Sequence, residues 1–168
     1  MRALIVALAF AVAAPTTLVA RLDTATAPVI AGARVGTLRQ AVRTFGKPDR
    51  VVPVTGTRPL CLAVWRRYGL EIRFSKSAEC RTPGLWWQVT MRAARWQTRT
   101  GLHVGDGEAR LHSLYPDAQR LDFLGLGTLW KLEAGGPLCD GGPPIALAAR
   151  TVAGRITTLL VLHIPACG

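Results

Sequence analysis

Acids are what this sequence has least of: 10 Asp and Glu stand against 21 Lys and Arg, a formal net charge of +11. A field of that sign draws anionic partners and repels cationic ones. Lysine is scarce as well, because 18 of the 21 bases are arginine, which offers a planar donor fork rather than a point charge. Histidine is limited to His103, His112 and His163, so acid–base and metal chemistry have few bearers. His112 and Ser113 are neighbours on an expected helix and point about 100° apart, which rules out a nucleophile–base pair between them. No G-x-S-x-G, H-E-x-x-H or P-loop occurs, and Gly125, Gly127, Gly141 and Gly142 precede no helical pattern. Asp106 and Glu108 stand at a helix start, where carboxylates cap. The chain is read as non-enzymatic, without cofactor or metal. A small exported hydrolase, pairing His103 or His163 with a carboxylate, is the alternative.

Long apolar runs are missing too. The longest, residues 3–14, follows Arg2 and falls short of the ~20 residues that span a bilayer, but has the length of a signal-peptide core. Cleavage is expected after Leu18-Val19-Ala20, with Ala25-Thr26-Ala27 as a poorer site before Pro28. No Cys follows the run, which excludes a bacterial lipoprotein anchor. Residues 1–20 are therefore read as a signal peptide and 21–31 as a linker, with an uncleaved membrane anchor running to Ala20 as the alternative. The location is secreted, extracellular or in the cell envelope.

Export changes the meaning of the 4 cysteines, which show no C-x-x-C and no histidine partners at zinc spacing. Three pairings are open. Residues 144–151 and 155–164 read as a hairpin turning at Ala153-Gly154, which brings Cys139 near Cys167; Cys61 and Cys80 bracket an earlier hairpin. One bridge per half, Cys61–Cys80 and Cys139–Cys167, is expected.

What the chain does contain is a recurrence. Shifting by 69 residues lays Gly32, Val35, Gly36, Val42 and Phe45 on Gly101, Val104, Gly105, Leu111 and Leu114, and Thr37 on Asp106. Val35, Leu38, Val42 and Phe45 form one helical stripe, with Thr37 as N-cap and Gly46-Lys-Pro48 as stop. Alternating strands follow at 60–65, 70–75 and 85–94, and in the second half at 130–133, 145–150 and 155–164. Residues 121–128 are either a strand or a loop. The expected fold is α+β: two tandem repeats, 32–98 and 99–168, each a short helix followed by a three- to four-stranded antiparallel β-meander. The two meanders are expected to meet side by side or across a linker at 95–100, in one compact, monomeric domain.

The motif Gly101-Leu-His-Val-Gly-Asp106 through Leu114-Tyr-Pro116, with its weaker copy at 32–48, resembles the tandem repeats of β-lactamase-inhibitor-protein-like domains. It is also similar to the outer-membrane assembly lipoproteins that share that fold. The resemblance implies the fold and a sheet face presented to a partner, but not a shared partner. No segment matches the acidic, aromatic hairpin with which such inhibitors fill an enzyme's cleft.

Charge divides the halves. Residues 21–100 hold 15 Lys and Arg against 4 Asp and Glu, whereas residues 101–168 hold 5 against 6. The candidate binding surface is thus in the first half, comprising Trp65, Trp86, Arg73 and Arg92 on the outward sheet face and the turn Arg66, Arg67, Tyr68. Exposed aromatics interleaved with arginine are the composition of binding hot spots. Arg39, Arg43 and Lys47 read as an ordinary solvated helix face. The expected partner is a protein or an anionic cell-envelope component. Nucleic acid is not expected, because no binding module for it is recognisable, and an envelope scaffold without a discrete ligand is a further alternative.

Overall fold

The structure is a computed structural model and describes residues 18–22, 28–31, 33–34, 36–54, 60–75, 80, 84–121, 128–135 and 145–163. In chain order the elements are β1 (Leu18–Leu22), β2 (Pro28–Ile30), β3 (Ala33–Arg34), α1 (Leu38–Phe45), β4 (Arg50–Val54), β5 (Leu60–Trp65), β6 (Leu70–Ser75), β7 (Trp86–Met91) and β8 (Trp96–Thr98). They continue with α2 (Glu108–Leu114), β9 (Gln119–Leu121), β10 (Thr128–Gly135), β11 (Ile145–Val152) and β12 (Arg155–His163).

The strands do not form two separate meanders. They build one eight-stranded antiparallel sheet in the order β4-β5-β6-β7-β12-β11-β10-β9. The expectation of two tandem helix-plus-meander repeats is therefore overturned, with strand dominating over two short helices. The reason lies in the seam. β7 and β12 pair through Met91↔Leu159 and Val89↔Val161, so the backbone groups of what would be two exposed edges satisfy each other. A second, four-stranded sheet runs β3-β2-β1-β8, with β1 parallel to β8. It holds residues read as signal, linker and inter-repeat connection. Ile30, Trp96 and Thr98 are all fully buried.

α1 begins where its stripe places it. Thr37 Oγ1 accepts from the Gln40 N–H at 3.3 Å, and Gln40 Oε1 accepts from the Thr37 N–H at 2.9 Å, a reciprocal capping box. Ala41 and Phe45 are buried, and Gly46, with φ 77°, stops the helix. α2 starts one residue later than expected, with Gly107 rather than Asp106 at its N-cap. Val35, in the expected stripe, lies outside the described residues.

β5 and β6 alternate as their sequences dictate. Cys61, Ala63 and Trp65 face Phe74, Ile72 and Leu70 across the ladder, on the core side. β11 and β12 turn through Ala153 (φ 50°) and Gly154 (φ 73°), the two left-handed residues of a tight hairpin. Cys61 and Cys80 are bonded, which ties the segment after β6 to β5. Cys139 and Cys167 lie outside the described residues. Among the described residues no helix is long and apolar enough to cross a membrane.

Candidate functional site

Two of the expected surface aromatics are not at the surface. Trp65 is 1% exposed and Trp86 4% exposed, both in the core cluster with Phe45 and Phe74. Trp65 faces inward because β5 turns Cys61 and Ala63 to the core, and the residue two further on follows them. Trp86 faces inward because of a β-bulge: the β6–β7 register shifts between Arg73 and Phe74, so that Phe74 pairs with Trp86 while Arg73 pairs with Gln88. The shift turns Trp86 from the face it would share with Gln88.

Arginine remains on the outer face. Arg73 Nη1 donates to Gln88 Oε1 at 2.9 Å, and Gln88 Nε2 donates to Thr90 Oγ1 at 3.0 Å. Arg92 pairs with Glu71 on the same face, its side chain 52% exposed. These residues form a hydrogen-bonded polar stripe across β6 and β7.

The stripe runs into one end of the molecule, where three connections converge: residues 46–49 after α1, the 3₁₀ turn Arg66–Tyr68, and residues 92–95 before β8. Their closeness is fixed by named bonds. Trp65 Nε1 donates to the Gly46 oxygen at 2.8 Å, and the Arg66 N–H donates to Asp49 Oδ2 at 2.7 Å. The Arg92 N–H donates to the Gly69 oxygen at 2.8 Å, and Trp96 Nε1 donates to the Tyr68 oxygen at 2.6 Å. Tyr68 is the hub: its ring meets Phe45 edge-on at 5.4 Å, and the Arg67 guanidinium lies 4.4 Å from its centroid.

These connections carry Lys47, Arg66, Arg67, Arg92 and Arg95, flanked by Arg43 in the last turn of α1 and Arg50 at the start of β4. The two acids in range are engaged, Asp49 by the Arg66 main chain and Glu71 by Arg92. Among the described residues, no carboxylate lies within ion-pair distance of Lys47, Arg66, Arg67 or Arg95. Clustered guanidinium forks of this kind hold carboxylates and phosphates in paired hydrogen bonds. Of the residues singled out from the sequence, Arg66, Arg67, Tyr68 and Arg92 lie on these connections and Arg73 on the adjoining stripe; Lys47, read as part of a solvated helix face, joins them, and Arg50 and Arg95 were not singled out. The available signal was that a base stands within two residues of each turn glycine, Lys47 beside Gly46 and Arg67 before Gly69.

The histidines are differently placed. His103 Nδ1 is 3.8 Å from Asp106 Oδ2, beyond hydrogen-bond reach. That carboxylate accepts from the His103 main-chain N–H at 2.8 Å and forms an ion pair with Arg110, whose Nε lies 3.2 Å away. His112 stacks edge-on against Trp130 at 4.6 Å. The His163 ring is outside what is described. Glu108 Oε1 accepts from Thr151 Oγ1 at 2.5 Å and from Trp130 Nε1 at 3.4 Å, and the Thr151 bond leads in holding its carboxyl below the usual carboxylate range. These contacts cross-link α2 to β10 and β11. Among the described residues no group of three or more His, Cys, Asp or Glu is arranged to hold a metal ion.

Comparison with protein-family profiles, with curated proteins and with solved structures finds no match for this chain. The inhibitor-like resemblance therefore rests on the short motifs at 32–48 and 101–116 alone.

Proposed function

We propose that this is an exported, non-enzymatic binding protein that takes hold of an anionic partner, a protein or a cell-envelope polymer, through the basic end around Tyr68 and the adjoining Arg73/Arg92 stripe. One observation carries the reading: three connections bonded to one another bear Lys47, Arg66, Arg67, Arg92 and Arg95, with the Arg67 guanidinium against the Tyr68 ring, while Asp49 and Glu71 are already engaged. The bonds that join the connections also preorganise them, so little ordering cost falls on binding. Export is supported by the Arg2 and apolar-run leader pattern and by the Cys61–Cys80 bond. The hydrolase alternative has less behind it, because the Asp106 carboxylate is held by a main-chain N–H and by Arg110 rather than by an imidazole.

The test is retention of the full chain on immobilised anionic polysaccharide at low salt. Arg66→Glu/Arg67→Glu is expected to abolish retention while leaving the melting temperature within a few degrees of the parent. Undiminished retention of that variant overturns the assignment.

A further inference from the structure

The basic end has an extension along α1. We propose that the protein binds a linear anionic polysaccharide laid along the exposed face of α1, from Arg39 past Arg43 and Lys47 to Arg67. This rests on the anionic-partner reading above and names the partner's class: a chain with repeated carboxylates rather than the surface of an acidic protein.

Arg39 and Arg43 stand four residues apart, about 6 Å along the helix axis. Each lies about 200° around the helix from a buried residue, Arg39 from Ala41 and Arg43 from Phe45, so both face away from the core and are exposed. Lys47, also exposed, follows the Gly46 stop. Arg67 closes the row at the same helix end, its Nη2 donating to the Phe45 oxygen at 3.4 Å. The cations thus follow one another into the basic end around Tyr68.

This row works against the helix that carries it. Arg39 lies in the first turn, where the helix dipole favours an acid and none is present. Arg39 and Arg43 are a like-charge pair at i,i+4, which is destabilising. Gln40 completes the capping box at a position where Glu would serve as well and would bring a negative charge. Among the described residues no carboxylate lies within ion-pair distance of Arg39, Arg43 or Lys47.

The second helix shows that the fold does not demand such a row. Shifted by 69 residues, Arg39 and Arg43 fall on Glu108 and His112. The arginine of α2, Arg110, is ion-paired with Asp106, its Nε 3.2 Å away. A ligand with carboxylates repeated along its length relieves the repulsion and the dipole conflict together, and guanidinium forks match carboxylates. The exposed residues of α1 are Arg39, Gln40 and Arg43, with no apolar anchor of the kind that centres a protein interface.

The experiment is calorimetric titration of the full chain at low salt with galacturonic acid, its dimer and a long oligogalacturonate. The proteins are the parent, Arg39→Gln and Arg39→Gln/Arg43→Gln. Parent affinity is expected to rise steeply with chain length. Arg39→Gln should weaken the long oligomer about two- to fivefold, and the double variant should weaken it further. Glutamine suits a helix about as well as arginine, so neither variant should melt below the parent. Undiminished binding of the long oligomer by the double variant overturns the proposal. So does a lower melting temperature in the variants, which would make the row part of the fold. Parent affinity that gains nothing with length, as for a discrete acidic group on a protein, overturns it while the anionic-partner reading stands. No binding at any length overturns it too, and the anionic-partner reading falls with it only if Arg66→Glu/Arg67→Glu leaves retention on immobilised polysaccharide undiminished.

Discussion

Trp65 gives its indole N–H to the Gly46 main-chain oxygen at 2.8 Å, which pins the end of α1 to the end of β5. The residue that composition marks as a binding anchor is thus a structural bolt beneath the basic end. Trp65→Phe should lower unfolding free energy by roughly 1–3 kcal/mol through the orphaned Gly46 carbonyl. Trp65→Ala should lower it by about 3–5 kcal/mol. Chemical denaturation checks both. The Phe variant should keep its retention on anionic polysaccharide, which a surface hot spot would not.

Glu71 is the carboxylate facing Arg92. Glu71→Gln removes that charge without changing the side chain's length, so Arg92 turns to the ligand. Elution from the anionic matrix should shift to higher salt, in contrast to the loss expected of Arg66→Glu/Arg67→Glu. A shift to lower salt would exclude Arg92 from the binding surface.

Gly69 has φ 58°, and a Cβ there would stand 2.8 Å from the Ala93 nitrogen. Gly69→Ala therefore meets both a left-handed backbone and a main-chain clash, a cost of about 1–3 kcal/mol or more. The clash pushes residues 92–95 away from the Tyr68 hub. Retention should fall together with the melting temperature, whereas Gly101→Ala, with φ 84° and open space around its Cβ, should affect stability alone.

The Cys61–Cys80 bond closes a sequence separation of 19 residues. Replacing both with Ser should cost roughly 3 kcal/mol, most of it through the freer unfolded chain. Chemical denaturation of the double variant beside the parent measures that cost.

Glu108 supplies a pH dependence. Its carboxyl is held below the usual carboxylate range, first by the Thr151 hydroxyl. A depressed folded pKa means stabilisation that is present above the unfolded value and lost as pH falls through the folded one. Thr151→Val removes the leading cause. The variant should be less stable at neutral pH, and the gap should narrow as the solution is acidified. A gap that stays constant with pH would show that the bond does not hold the proton off.

Local structure was legible where one pattern decides it. Thr37 with Gln40 announces the α1 cap, Ala153-Gly154 announces the last turn, and Leu70, Ile72 and Phe74 announce a half-buried strand. What joins distant strands left no such mark. Nothing in Met91 or Leu159 says that they will pair, and the β1 segment reads as leader and linker because it lies between the apolar run and the aperiodic Ala/Thr/Pro stretch that follows. The site was legible in its charges and illegible in its aromatics. Alternation gives two faces without saying which is inner, and the bulge beside Phe74 exchanges them for Trp86.

The β7–β12 seam also sets an order of events for folding. β5, β6 and β7 meet through short connections, and so do β11 and β12, so each group forms by local search. Met91 and Leu159 meet only after the intervening chain has been gathered in, and that closure is entropically dear before any contact repays it. Sequence separation therefore places the seam after the local pairings. Until it closes, two unpaired strand borders face the surrounding solution, and a crowded nascent chain is most at risk of pairing with its neighbours in that interval.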